Sequence, residues 1–139
     1  ERCGDSLRPA AAAAAGVALR HTLLPGSAFD VDFGSGYDVV LLTNFLHHFD
    51  EDTNEKLLAK IHAALTEGGQ LITLEFIPDE SRVSPPTAAT FALTMLSSTP
   101  AGDTYTFSQL DALLRQAGFA RNELVEMPNS PQRIVLSHK

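Results

Sequence analysis

Two continuous apolar runs, separated by a stretch of helical periodicity, form the clearest pattern in the middle of the chain. Residues 37–43 (YDVVLLT) and residues 70–77 (QLITLEFI) are rich in aliphatic and β-branched side chains, which is typical of strands buried on both faces of a parallel sheet. Between them, apolar residues recur at helical spacing, and Gly68-Gly69 is expected to end the helix. The repeat consists of Leu57, Leu58, Ile61, Ala64 and Leu65. A strand, a helix and a second strand in this order predict a right-handed βαβ crossover and place the chain in the α/β class.

The N-terminal part of the chain predicts one helix and one strand. Residues 10–15 are a run of alanines closed by Gly16, which is typical of the last turns of a helix. Residues 17–24 are mostly apolar and stop at Pro25-Gly26, a pattern that predicts a strand ended by turn residues.

The C-terminal part of the chain predicts two helices and a hairpin. A Pro-Pro pair at residues 85–86 starts one helical repeat. Thr106 and Gln109 form a capping-box pattern in front of a second helix. Residues 123–127 and residues 132–137 flank a Pro-Asn-Ser-Pro turn, which predicts an antiparallel hairpin at the edge of the sheet.

Composition and charge narrow the class of partner. The chain has 139 residues and a formal net charge of −7, with no cluster of Lys or Arg, which argues against a nucleic-acid or anionic-membrane binder. This length predicts one domain, and a single Cys excludes an internal disulfide. No apolar run approaches the length of a membrane span or the layout of a signal peptide, so we expect a cytoplasmic protein. Because the chain begins at Glu1 without an initiator Met, we expect a piece of something longer.

The candidate chemistry lies where the predicted strands end. In an open α/β sheet, ligands bind outside the carboxyl ends of the strands, and two of these ends carry His47-His48 and Glu75. Since strands joined by a crossover lie close together, His47 or His48 should share one rim with Glu75, where a His beside a carboxylate can act as a general base. Adjacent extended residues point in opposite directions, so we expect no metal site on the two histidines.

A structural interpretation of the same residues stays open. One histidine could pack under the following helix while the other hydrogen-bonds a loop carbonyl, because a titratable group in a cleft is only a probabilistic guide to function. Glu75 could equally be solvated or cap a helix.

The residues just described resemble a known family. Residues 37–49, the helix after them and residues 68–75 look like the fourth and fifth strands of class I S-adenosylmethionine-dependent methyltransferases. Residues 100–107, the Ala117-Gly118-Phe119 step and the closing hairpin, together with residues 25–29, are similar to the small-molecule O-methyltransferases related to the caffeate and hydroxyindole enzymes. The resemblance implies a Rossmann-like methyltransferase sheet, mostly parallel with a C-terminal antiparallel hairpin and lacking the first two strands. The whole chain would then be the C-terminal portion of the catalytic domain.

The resemblance also assigns roles to individual residues. His47 falls on the catalytic base of the family and Glu75 on one of two acids that flank it, whereas Thr104 occupies the position of the second acid. The implied cofactor is S-adenosylmethionine, and the implied cofactor-binding residues are Gly26, Ser27, Ala28, Phe29, Thr43 and Asn44. The implied acceptor-binding residues are Phe91, Met95 and Leu96, whose helical spacing is equally that of core residues.

The residues are compatible with two functions. The leading one is S-adenosylmethionine-dependent methyl transfer to a hydroxyl of a small molecule, aromatic hydroxyls included, by a protein that is a homodimer at full length. The other is a non-catalytic binding or dimerisation module on the same scaffold. Two departures favour it: Ser27 stands where the family commonly has an Asp toward the adenine amino group, and Thr104 stands in place of the second acid. In the family, a glycine-rich cofactor loop and an N-terminal dimerisation domain should precede Glu1, so we expect the isolated chain to be inactive and to bind the cofactor weakly.

Overall fold

The computed structural model describes residues 7–139, with side chains from residue 11 onward. A first compact unit ends at Phe33, and a second comprises Gly34–Lys139. The first unit contains helix α1 (Leu7–Ala14) and a 3-10 helix (Ala18–Arg20). The second contains β1 (Tyr37–Thr43), a 3-10 helix (Leu46–His48), α2 (Glu51–Ala64), β2 (Leu65–Glu75), α3 (Pro86–Ser98), α4 (Phe107–Gln116), β3 (Arg121–Glu126) and β4 (Arg133–His138).

The first unit bears out one prediction and corrects another. The alanine-rich helix is confirmed, and Gly16 follows it with a left-handed φ of +69°. The strand predicted over residues 17–24 is wrong, because this segment contains the 3-10 helix instead. Leu24 in this segment is 47% exposed. An apolar run becomes a strand only when a neighbouring strand pairs with it, and local pattern cannot supply that partner.

The second unit is built on a four-stranded mixed sheet with the order β1-β2-β4-β3. β1 and β2 run parallel with α2 as their connection, and β4 runs antiparallel to both β2 and β3. The α/β class, the crossover and the C-terminal hairpin at the sheet edge are thereby confirmed. Because β1 and β2 are parallel neighbours, their carboxyl ends meet, with Thr43 opposite Leu74.

β1 is more exposed than its composition predicts. Burial on both faces is expected from the sequence, yet Val39 is 50% and Leu41 is 67% exposed. Within the part of the chain that the structure describes, β1 pairs with β2 alone and forms one edge of the sheet. β2 lies between two strands and buries Leu71 and Thr73 completely. An apolar run therefore predicts the type of element correctly but not its burial, which depends on neighbours.

The boundary between α2 and β2 lies earlier than predicted. α2 ends at Ala64 and Leu65 already belongs to β2, so the prediction that Gly68-Gly69 ends the helix is wrong. Gly68 has a φ of +76°, and the register between β1 and β2 shifts at this point. A Cβ on Gly69 would lie 3.1 Å from the carbonyl oxygen of Tyr37. These glycines lie at an irregularity of strand pairing near the start of β2. Glycine is common at such irregularities as well as at helix ends.

The helices of the second unit begin where their caps predict. Thr106 and Gln109 form the predicted capping box in front of α4, each side chain accepting a hydrogen bond from the backbone amide of the other residue. α3 begins at Pro86, as predicted. α2 packs against α4 and β2, and the buried apolar core of this layer consists of Leu57, Leu58, Ile61, Leu110, Leu113, Leu114 and Phe119. No helix among residues 7–139 is long and apolar enough to cross a membrane.

Candidate active site

The candidate site is the turn between β1 and α2, which we call the 45–49 turn. The chain leaves β1 through Asn44, whose backbone has a φ of +52° and whose amide donates to the carbonyl oxygen of Leu74 at 2.9 Å. The 3-10 helix Leu46–His48 follows, so the turn lies directly over the carboxyl end of β2. This is the rim at which the sequence predicts the chemistry.

His47 and Glu75 meet in the interior of this rim. The Nδ1 atom of His47 lies 2.5 Å from Oε2 of Glu75, and each residue is 4% exposed. The predicted proximity of a histidine and this carboxylate is confirmed. A solvated Glu75, one structural interpretation of the sequence, does not fit this burial. The helix-capping interpretation is borne out in part, because Glu75 binds the backbone amides at the start of the 3-10 helix Leu46–His48.

Glu75 also holds the backbone of the turn. Its Oε1 atom accepts from the backbone amides of Phe45, at 2.8 Å, and Leu46, at 2.9 Å. When Glu75 is ionised its oxygens can only accept hydrogen bonds, and Nδ1 of the imidazole is then the donor of the His47 contact. In the neutral imidazole, Nε2 is then the nitrogen with a lone pair, and it is the atom that can accept a proton.

His48 has a different environment, which separates the two candidate histidines. It is exposed, and its ring centroid lies 4.3 Å from that of His47. Its backbone amide donates to the carbonyl oxygen of Phe45 at 3.2 Å, which completes the turn. The pairing with the buried carboxylate therefore falls to His47, as the family resemblance implies.

A pair of stacked aromatic rings lies next to His47, and one of the two contacts its imidazole. Phe91 on α3 contacts it edge-on with a centroid distance of 4.9 Å, and Phe76 stacks on Phe91 at 4.1 Å. Met95, one turn after Phe91, is buried, but Leu96 is 76% exposed. The implied acceptor residues thus do not share one surface: Phe91 lies against His47, whereas Leu96 lines an open cavity of about 410 Å³ with Ala92, Leu93, Ala101, Gly102 and Asp103.

The segment before α4 packs onto the turn from the other side. A Cβ on Gly102 would overlap the carbonyl oxygen of His47, so only glycine allows this approach. Asp103 pairs with Arg82 at 2.6 Å. Thr104, at the position of the family's second acid, is buried, and its hydroxyl has no hydrogen-bond partner among the described residues.

Sequence reasoning missed two side chains that contact the turn. Asn54 on α2 is fully buried, and its Nδ2 atom donates to the carbonyl oxygen of Leu46 at 2.9 Å. The hydroxyl of Tyr105 donates to the carbonyl oxygen of Phe49 at 2.5 Å. Burial raises the pKa of Tyr105 to about 12, so the hydroxyl keeps its proton at neutral pH. For Asn54 a signal existed: it lies three and four residues before Leu57 and Leu58, on the apolar stripe of α2, where a polar residue is unexpected.

The implied cofactor-binding residues lie in both units. In the first unit, the carbonyl oxygen of Ser27 accepts from the amides of Asp30, at 3.0 Å, and Val31, at 2.9 Å, so Ala28 and Phe29 belong to one turn that begins directly after Gly26. The hydroxyl oxygen of Ser27 accepts from the amide of Phe29 at 3.2 Å. In the second unit, Thr43 and Asn44 are exposed at the end of β1, and the amide oxygen of Asn44 accepts from the side chain of Gln132.

The chain matches known proteins along most of its length. Residues 9–120 match the family model of the O-methyltransferase domain. A curated relative, 3-hydroxy-5-methyl-1-naphthoate 3-O-methyltransferase of Streptomyces sahachiroi, is 37% identical over 106 residues, which are 76% of this chain and 30% of that protein.

Solved structures show the same similarity. A candidate O-methyltransferase of Nostoc punctiforme is 45% identical with a TM-score of 0.93, over 96% of this chain and 41% of that one. An O-methyltransferase family 2 protein of Planctomyces limnophilus, solved in complex with apigenin, is 27% identical with a TM-score of 0.84, over 96% of this chain and 40% of that one. The chain thus spans less than half the length of each of these proteins. On the match over residues 9–120, the chain belongs to the O-methyltransferase domain family.

Proposed function

We propose that this chain is the C-terminal catalytic portion of an S-adenosylmethionine-dependent O-methyltransferase that acts on a small hydroxylated molecule. The observation that carries the proposal is the buried His47–Glu75 pair at the carboxyl end of the parallel strands. Ligands of open α/β sheets bind at this end. The family assignment supplies the reaction class, and the pair supplies a group able to take the proton of a hydroxyl.

In this proposal, His47 is the general base. The carboxylate of Glu75 fixes Nδ1 as the donor and leaves Nε2 to accept the proton of the acceptor hydroxyl. Deprotonation turns a weak nucleophile into a strong one, and the same carboxylate stabilises the imidazolium that forms. Phe91 and the burial of His47 keep water away from the imidazole, which favours a transfer that needs close contact between two reactants.

The residues implied for the cofactor suit an adenosine with a charged sulfur. The hydroxyl of Ser27 and the ring of Phe29 offer a hydrogen-bonding group and a flat apolar surface, with Ala28 in the same turn and Gly26 directly before it. Thr43 and Asn44 offer polar groups at the end of β1, next to the turn that carries His47. When bound, S-adenosylmethionine would supply an electrophilic methyl group. We propose that the 139-residue chain alone binds it weakly and lacks activity.

An aromatic hydroxyl is the acceptor that the site favours. The aromatic pair Phe76–Phe91 reaches the imidazole, and flat rings pack well against such pairs. The names of relatives agree with this class, since one methylates a hydroxynaphthoate and another was solved with apigenin. A homodimer of the full-length protein is part of the same proposal.

A non-catalytic binding module is the second candidate. The observation in its favour is the exposed apolar face of β1, with Val39 and Leu41, which is typical of a surface for another protein segment. A module of this kind needs the scaffold but not the His47–Glu75 pair.

Methyl transfer by the complete reading frame that encodes this chain separates the two candidates. The assay follows S-adenosylhomocysteine formed with a panel of hydroxylated aromatic compounds. We expect His47→Ala to lower kcat by about 10² to 10⁴-fold, the usual contribution of a general base, with a small change in the KM of the methyl donor. His48→Ala is the matched control, because it removes the adjacent, exposed histidine. Full activity of His47→Ala would contradict its role as base, and a wild-type protein without transfer to any acceptor would favour the binding module.

A further inference from the structure

The 45–49 turn is held from two sides by side chains of different elements. Glu75, the last residue of β2, accepts from the backbone amides of Phe45 and Leu46. Asn54, on the first turns of α2, donates through Nδ2 to the carbonyl oxygens of Leu46, at 2.9 Å, and Phe49, at 3.3 Å. Two backbone amides of the turn are therefore bound by a side chain of β2, and two of its backbone carbonyls are bound by a side chain of α2.

The position of Asn54 makes it suited to hold the turn rigidly. Its side chain is fully buried, and α2 is capped directly after the turn by Asp50, which accepts from the amide of Thr53 at 2.8 Å. Its two acceptors, at Leu46 and Phe49, bracket the residue that carries the imidazole. A rigid helix therefore fixes the backbone on both sides of His47.

A second donor reaches one of the same carbonyl groups. The hydroxyl of Tyr105, from the segment before α4, donates to the carbonyl oxygen of Phe49 at 2.5 Å. The carbonyl of Leu46 also accepts from the backbone amide of Phe49 at 3.1 Å. Asn54 is thus the side chain that joins both ends of the turn, whereas Tyr105 contacts one end.

We propose that Asn54 is a positioning residue for His47, acting through the carbonyl groups of Leu46 and Phe49. Its catalytic meaning rests on the proposed function. Without the amide of Asn54, the turn keeps its hydrogen bonds to Glu75 but loses the side-chain hydrogen bonds that tie Leu46 and Phe49 to α2. The imidazole of His47 can then tilt. A misplacement of about 1 Å is enough to cost roughly 10²-fold in a reaction that depends on contact geometry.

The test compares Asn54→Ala with Asn122→Ala in the complete protein. Asn122 is a matched control because its Nδ2 atom, like that of Asn54, donates to an oxygen of another element: Oδ1 of Asp111, at 2.8 Å. It lies on β3, away from the turn. We expect Asn54→Ala to lower kcat by about 10 to 100-fold with the KM of the methyl donor nearly unchanged, and Asn122→Ala to leave both constants near wild type. Equal kcat values for the two variants would overturn the proposal.

A second readout does not need activity. In protein labelled with ¹⁵N-histidine, the Nδ1 proton of His47 should exchange slowly with water because it is buried and bound to Glu75. The signal is assigned by its loss in His47→Ala. We expect Asn54→Ala to speed this exchange at least about tenfold, and Asn122→Ala to leave it unchanged. An unchanged exchange rate in Asn54→Ala would overturn the positioning role even if kcat fell.

The two readouts keep this proposal separate from the proposed function. If His47→Ala is fully active, the proposed role of His47 as general base fails, while faster exchange in Asn54→Ala still supports the positioning of the imidazole. If Asn54→Ala does not fold, the side-chain amide protons of Asn54 are measured in the wild-type protein. Slow exchange of these protons supports the two carbonyl contacts, and exchange at the rate of an exposed amide overturns them.

Discussion

The 45–49 turn and the strand before it are neighbours along the chain, but their surroundings are opposite. In the turn, Glu75 accepts from two backbone amides, Asn54 donates to two backbone carbonyls, and His47 is 4% exposed. On β1, the side chains of Val39 and Leu41 are 50% and 67% exposed, and the strand pairs on one side only within the described residues. The polar pair of the turn is buried, and the apolar side chains of β1 are exposed.

This contrast separates polar groups that are bonded from apolar groups that are exposed. The imidazole and its carboxylate both belong to the unit of residues 34–139 and are bonded to each other, and buried polar groups are stable only when they are bonded. The face of β1 gains nothing comparable, because its apolar area stays in contact with water. Mutations should therefore cost stability at the turn and little on β1.

The largest loss of stability is expected at Glu75. Glu75→Ala removes the acceptor of the His47 contact and of two backbone amides at once, and it leaves these buried donors without a partner. We expect the free energy of unfolding to fall by about 3 to 5 kcal/mol, as when one partner of a buried pair is removed. Urea unfolding followed by circular dichroism measures it.

The control for this prediction is an exposed carboxylate that also has a cationic partner. Glu126 pairs with Arg133 at 2.9 Å, and its side chain is 69% exposed. Glu126→Ala should cost at most about 1 kcal/mol, because surface ion pairs contribute little. Equal losses for both variants would show that Glu75 does not organise the turn.

The meeting of His47 and Glu75 was predictable from the sequence because it follows from topology. Two apolar runs joined by one helix indicate parallel neighbours, and parallel neighbours bring their carboxyl ends together. The family resemblance then selects His47 over His48, which the alternation of residues alone leaves open. The separation of the acceptor residues was not predictable, because which face of α3 turns toward His47 depends on packing against Phe76.

The wrong predictions share one cause: the structure that a local sequence pattern adopts depends on which other segments contact it. Residues 17–24 have the composition of a strand but contain the 3-10 helix Ala18–Arg20 instead, because no strand in the described part of the chain pairs with them. Gly68-Gly69 has the sequence of a helix end but lies in β2. A glycine is needed at residue 69 because the backbone of Tyr37 on the neighbouring strand comes close to it. The position of Asn54 on the apolar stripe of α2 marks it as unusual, but its partners are backbone carbonyls, which the sequence does not identify.

A pair of leucines sharpens the comparison between buried and exposed positions. Leu71 on β2 is fully buried, whereas Leu41 on the adjacent β1 is 67% exposed, one position away in the register. Leu71→Ala should lower the free energy of unfolding by about 2 to 5 kcal/mol, the cost of removing buried methyl groups. Leu41→Ala should change it by less than about 0.5 kcal/mol, as at other exposed sites. Urea unfolding of the two variants, read by the same signal, tests this, and a large loss in Leu41→Ala would show that the β1 face is covered in solution.

The smallest effect is expected at high pH, where Tyr105 loses its proton. Burial raises the pKa of Tyr105 from 10.0 to about 12, and the charge of Glu51 adds to the shift. The folded state therefore holds this proton more tightly than the unfolded state, so the stabilisation is fully present below pH 10 and is lost as the pH rises toward 12. The ultraviolet absorbance of the phenolate measures the ionisation, and Tyr37→Phe removes the other tyrosine of the chain.

Tyr105→Phe should flatten this loss of stability between pH 10 and 12, because the titrating group is gone. The same variant loses the hydrogen bond to Phe49, so its free energy of unfolding at pH 7 should fall by about 1 kcal/mol. The two effects have opposite signs at high and neutral pH, which distinguishes them in one set of urea curves. A phenol that ionises near pH 10 in the folded protein would show that Tyr105 is solvated and that the turn is open on the side of Phe49.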